Sequence, residues 1–206
     1  MAQLVFYDDK HIYELDGQPV PSVSELQRPL GGDPVEEGEE DVAFAIAQEA
    51  AAERGVILHA ALESLLRGAN PDDIEIPASY DGHFASACKF VNDHEIIPYM
   101  METPLFNESM RYAGTPDLIC SFDGTDTIID YKFVSSINKT RVKSQLNAYR
   151  LICLDKGIAI HALYAVQFMG DGRYRLYPVA IDECEFAMCY GIYHAKHKTH
   201  PRGAIA

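Results

Sequence analysis

The chain has no apolar run near the roughly 20 residues that cross a bilayer, so no membrane span and no membrane partner is predicted. Its first residues, Met1-Ala2-Gln3-Leu4-Val5, lack a basic region leading into an apolar stretch, so a secretory signal is not expected and the cytoplasm is the default location. Its five cysteines (Cys88, Cys120, Cys153, Cys184, Cys189) include no Cys-x-x-Cys pair and are odd in number, which reads as buried thiols in a reducing compartment. Positive charge is scarce too. Against 31 acidic residues stand 17 lysines and arginines, a net charge of −14, which argues against a general polyanion binder.

The cations that are present are unevenly placed. From Tyr131 to Leu154 there are five (Lys132, Lys139, Arg141, Lys143, Arg150) and no acid. Such an island would suit a phosphodiester. Otherwise the composition is that of an ordinary globular protein, and 206 residues fit one domain, 1–206, with a real core. Within it, residues 1–30 read as short strands (Leu4 to Tyr7, His11 to Leu15) and a Pro-Ser-Val segment that would serve as a lid or entry element, with Ser22 or Ser24 capping a helix. Residues 31–41, with six acids and Gly31-Gly32, read as a mobile acidic loop.

The most informative stretch is Ala113 to Lys132. Apolar runs at Leu118 to Phe122 and from Ile128 onward flank Asp123-Gly124, which predicts a β-hairpin. Asp130 and Lys132 are two apart and so share one strand face. Asp117 opens the partner strand, where it can approach Asp130. Two carboxylates and an ammonium converging on one spot suit a divalent cation with a catalytic cation beside it.

Pro116-Asp117 with Asp130-Tyr131-Lys132 resembles the signature of the PD-(D/E)XK nuclease superfamily, and specifically its RecB-like exonuclease branch, phage members included. Further matches come in family order: Arg54-Gly55-x-x-x-His59, Glu102, Gly114-Thr115, and Gln145-x-x-x-Tyr149. The resemblance covers about Leu4 to Phe168. It implies an α/β fold with a restriction-endonuclease-like core, a central mixed β-sheet flanked by α-helices. It implies a metal-dependent DNA exonuclease of recombination, repair or phage DNA processing, with DNA as substrate and a recombination or single-strand-annealing protein as a further partner.

By the same resemblance, Asp117, Asp130 and Lys132 are catalytic. His59, Glu102, Asp117, Asp130 and the backbone carbonyl of Phe133 would hold one or two Mg²⁺ or Mn²⁺ ions. Gln145, Tyr149, Arg54, Lys139 and Lys143 would contact DNA or support the site. Glu63 shares a helix face with His59 at i, i+4 and would orient it. Some relatives carry a four-cysteine iron–sulfur cluster; the cysteine pattern needed for it is absent, so none is expected.

Element order follows from periodicity. Asp41 to Glu53 and Val56 to Arg67 read as two helices separated at Gly55, and Tyr80 to His94 as a third. Ile96 to Phe106 reads as one strand broken at Pro98 and Pro104, Lys139 to Asp155 as a helix ended by Gly157, Ile160 to Phe168 with Arg173 to Pro178 as a second hairpin, and Asp182 to His197 as a last helix. The histidines at its end suit a solvated terminus that complements the helix dipole. Two alternatives stand beside the exonuclease reading. One is a catalytically inactive nuclease fold that binds DNA or protein. The other is an endonuclease specific for a DNA site or structure, for which no separate recognition domain is visible.

Overall fold

The computed structural model describes residues 2–7, 12–30 and 42–197. The acidic segment 31–41, expected to be a mobile loop, lies outside the described residues, as does the link at Asp8-Asp9-Lys10.

The centre is a five-stranded mixed sheet. Its strands are β4 (Ile96–Met101), β7 (Leu118–Phe122), β8 (Thr125–Lys132), β9 (Ala162–Phe168) and β10 (Tyr174–Pro178), in the order β10-β9-β8-β7-β4. All neighbours are antiparallel except β8 and β9, which run parallel. A parallel pair cannot be joined by a tight turn. The crossover is α4 (Lys139–Asp155), which covers one face of the sheet.

The central hairpin forms as its sequence predicts. Asp123 and Gly124 both take positive φ (48° and 82°), the geometry whose twist matches a two-residue hairpin. Side chains then alternate by face. Leu118, Cys120, Ile129 and Tyr131 pack with Leu58 and Leu62 of α2 (Val42–Leu66) and Phe90 of α3 (Asp81–Asp93). Ile119 and Ile128 pack on the other face with Leu146 and Ile152 of α4 and Phe186 of α5 (Cys184–His197). The helices on both faces of the mixed sheet are those anticipated.

Two expectations need correction. Gly55 does not divide the early helical region: α2 is one helix of 25 residues. A helical glycine costs only about 1 kcal/mol relative to alanine, and burial of Leu58, Leu62 and Leu65 outweighs that. Nor is Ile96 to Phe106 one strand. β4 stops at Met101, Glu102 turns to φ 43°, and β5 (Leu105–Asn107) instead pairs with β6 (Tyr112–Gly114) in a separate two-stranded sheet. Pro104 has no N–H with which to continue the ladder.

The N-terminal strands β1 (Leu4–Tyr7), β2 (Ile12–Leu15) and β3 (Gln18–Val20) form their own antiparallel sheet. Tyr13, Leu15 and Val20 from it pack against Ala113 of β6. Ser22 caps the short α1 (Val23–Leu26), its hydroxyl accepting from the Glu25 N–H at 3.0 Å. This small sheet therefore lies beside the start of the central hairpin, where Tyr13 and Thr115 hydroxyls meet at 2.8 Å.

Candidate metal centre

Four elements deliver acids and a histidine to one end of the sheet. His59 comes from the middle of α2, its ring meeting Tyr131 and Phe133 edge-on at centroid distances of 5.7 and 5.5 Å. Glu102 follows β4, at the left-handed residue where the strand ends, and its N–H donates to the Asp117 carbonyl at 3.1 Å. Asp117 stands one residue before β7. Its Oδ2 accepts from the Tyr131 N–H at 2.6 Å, so a side chain replaces the ladder bond. Asp130 lies within β8, and the register Leu118–Ile129 places the two aspartates opposite one another one step further along.

The distances define the cluster. His59 Nδ1 is 3.0 Å from Glu102 Oε1 and 3.9 Å from Asp117 Oδ1. One ligand atom from each of these three residues lies within 4.8 Å of the others. Asp130 is 1% exposed, and Lys132 Nζ sits 2.6 Å from its Oδ2. Lys132 thus pairs with one carboxylate oxygen, while among the described residues the other, Asp130 Oδ1, is buried with no donor. Buried carboxylate oxygens without donors are costly. Three carboxylates also outnumber the two basic groups, His59 and Lys132. Oxygen-rich donors with one imidazole and a surplus of negative charge suit a hard divalent cation.

The electrostatics agree with crowding of charge. Burial alone would lower the His59 pKa; the Asp117 charge, with Glu102 and Asp130, more than reverses this and raises it to about 9. Burial pushes Asp130 up to about 6 against the pull of Lys132. Burial likewise raises Asp117, only partly offset by His59 and Lys132. For Lys132 burial pulls down, yet Asp130 and Asp117 prevail and hold it above the ordinary lysine value. Lys132 is thus an ammonium at neutral pH.

On α4, Gln145 spans from the lysine to a tyrosine. Its Oε1 faces Lys132 Nζ at 3.5 Å and its Nε2 donates to the Tyr149 hydroxyl at 3.3 Å. Gly114 makes room for that tyrosine: a Cβ there would lie 2.7 Å from Tyr149 Cε1.

The structure thus brings His59, Glu102, Asp117, Asp130, Lys132, Gln145 and Tyr149 together. Other expected members have different partners. The Phe133 carbonyl accepts from Arg54 Nε at 3.2 Å, so in this structure Arg54 braces the backbone there. Glu63 pairs with Arg67 at 2.6 Å, and the residue that holds His59 Nδ1 is Glu102. Lys143 is bound to Asp182 and Glu185 of the α5 region at 2.6 and 2.9 Å, and Lys139 lies over the Tyr177 ring at 5.7 Å. Much of the cationic island is therefore neutralised by acids distant in sequence.

The Pro-Ser-Val segment, read from the sequence as a lid or entry element, and the Gly114-Thr115 pair lie beside the cluster. A cleft of about 360 Å³ adjoins the cluster, bordered by Ser22, Ser24 and Thr115 as well as by His59, Asp117 and Gln145. A larger open groove of about 1010 Å³ runs along α3, but no member of the cluster borders it.

Among the described residues no helix is long and apolar enough to cross a membrane. No family model matches the chain, and no curated protein matches it. Among solved structures the chain is similar to an alkaline exonuclease from Laribacter hongkongensis, at 11% identity and a TM-score of 0.41, over 66% of this chain and 76% of that one. A likeness this slight leaves the functional reading to rest on the side chains themselves.

Proposed function

We propose that this protein is a divalent-cation-dependent deoxyribonuclease, an exonuclease by its sequence signature, that hydrolyses DNA phosphodiester bonds. The observation that carries the reading is the meeting of His59, Glu102 and Asp117 beside a buried Asp130 whose Oδ1 has no donor, with the Lys132 ammonium 2.6 Å from that carboxylate.

A phosphodiester resists hydrolysis because its own charge repels hydroxide, and the site must offset that charge. His59, Glu102, Asp117 and Asp130 are the residues that would hold Mg²⁺ or Mn²⁺. Bound there, the ion supplies Lewis acidity and a lowered pKa for coordinated water. The chain's own contributions are distinct. The Tyr131 N–H fixes the Asp117 carboxylate, and Glu102 fixes the His59 ring. Lys132, held protonated by its two aspartates, is suited to offset charge building on the phosphoryl oxygens rather than to abstract a proton. Gln145 limits where that ammonium can point.

The test is cleavage of fluorescent DNA with Mg²⁺ or Mn²⁺. Asp117→Ala and Lys132→Ala are each expected to lose activity by orders of magnitude while keeping their circular dichroism spectrum, and EDTA is expected to abolish wild-type cleavage. Parental rates in either variant, or cleavage indifferent to EDTA, overturn the proposal.

A further inference from the structure

The five cations of the island are equivalent in sequence, but not in space. Lys132 faces Asp130, Lys143 faces Asp182 and Glu185, Arg150 faces Glu183 at 2.8 Å, and Lys139 covers the Tyr177 ring. Arg141 is the member whose guanidinium meets no carboxylate or ring among the described residues.

Its position is specific. Residues 141, 145 and 149 follow at i, i+4 and i+8 along α4, so Arg141 continues the stripe of Gln145 and Tyr149, which border the cleft. The backbone of Arg141 is tied to the opposite wall: Gln27, at the end of α1, donates its Nε2 to the Arg141 carbonyl at 2.9 Å. Ser24 of the same α1 borders the cleft and is exposed. Arg141 also lies close enough for its charge to weigh on Lys132. An unpaired guanidinium thus stands one turn of α4 before Gln145, just outside the residues that line the cleft, whose own charged members are His59, Glu102 and Asp117. A space of about 360 Å³ is at the low end for a small-molecule pocket, closer to one nucleotide than to a duplex.

We propose that Arg141 binds a backbone phosphate flanking the scissile one, on a single unpaired DNA strand that leaves the cleft past Ser24 and Gln145 toward the N-terminal end of α4. This rests on the nuclease reading and adds the strand type and its path. The planar guanidinium can hold phosphate oxygens in pairs. Arg150, on the same helix but neutralised by Glu183, takes no part.

The experiment measures anisotropy of a fluorescein-labelled oligothymidylate with Ca²⁺ in place of Mg²⁺, across roughly 50 to 200 mM salt. Each phosphate neutralised on a single strand adds about 0.7 to the slope of log affinity against log salt. Arg141→Ala is expected to lower that slope by about 0.7 and to weaken binding several-fold, with an unchanged melting temperature. Arg141→Lys is expected to keep most of the slope, and Arg150→Ala all of it. In cleavage, Arg141→Ala is expected to raise KM with kcat within about threefold of wild type. An unchanged slope in Arg141→Ala, or an equal loss in Arg150→Ala, overturns the assignment while wild-type cleavage leaves the nuclease reading standing. A wild type that neither binds nor cuts the strand overturns both. Tighter binding of a blunt duplex than of the single strand overturns the strand preference.

Discussion

His59 and Glu102, 43 residues apart in sequence and carried by a helix and a strand end, meet at 3.0 Å with Asp117 beside them. The contact adds a hydrogen bond to a ring already packed against Tyr131 and Phe133, and it couples the charge of the histidine to that of the carboxylates.

Metal-free stability is expected to fall with pH. Asp130, raised to about 6, binds its proton more tightly folded than unfolded, so its ionisation above the ordinary carboxylate value costs stability up to about pH 6. His59, raised to about 9, contributes stability that is complete below its ordinary value of 6.5 and is lost as pH rises through 9. Both protons must leave for the ligands to bind a cation, so stabilisation by Mn²⁺ is expected to grow with pH. At about 100 times Kd it reaches about 2.7 kcal/mol, or about 5–10 °C for a chain of this size. Melting scans with Mn²⁺ and with EDTA at pH 5.5 and 8.5 check this, and an equal shift at both would contradict the assignment of the ligands. His59→Ala is expected to remove the part of the pH dependence above 6.5.

Two glycines in helices are expected to behave oppositely. A Cβ on Gly82 would lie 1.8 Å from the Gly170 carbonyl oxygen in the β9–β10 turn, so the backbone must move. Gly82→Ala is expected to cost about 1–3 kcal/mol, as overpacking does. A Cβ on Gly55 meets nothing within 4 Å among the described residues, so Gly55→Ala is expected to gain up to about 1 kcal/mol from helix propensity. Urea unfolding of the two variants gives both signs, and the contact between α3 and the turn is refuted by a neutral Gly82→Ala.

Gln145 is expected to act through Lys132. At 3.5 Å the contact is long and is worth less than the roughly 1.5–3 kcal/mol of a short hydrogen bond to a charged group, so Gln145→Ala should slow turnover by up to about tenfold. In the Lys132→Ala background the same change should cost little, because its target is gone. Additive losses in the double variant would show that Gln145 works by another route.

Local pattern made much of this protein legible. Asp123-Gly124 between apolar runs defined the central hairpin, and the period-two rule put Asp130 and Lys132 on one face. Helix periodicity, with Gly157 as the stop, located α4. Those inferences succeed because the forces involved act within a few residues along the chain. Gly55 was misread because propensity is a weak preference that the buried leucines of α2 override. The segment through Glu102 departs from a single strand because, beyond the break at Pro104, β5 takes its partner from β6, which lies further along.

The sequence by itself determined which chemical groups are available: two aspartates and a lysine on adjoining strands, a histidine on a helix, and an acidic chain with one basic stretch. Tertiary structure decided which of them are free to act. It gave His59 to Glu102 rather than Glu63, set Arg54 against the Phe133 carbonyl, and quenched Lys143 and Arg150 with acids of the α5 region, while Arg141 meets no acid among the described residues. The reason is physical. A charge takes the nearest counter-charge in space, and between residues more than 30 apart in sequence that distance is fixed only when the sheet and its helices pack.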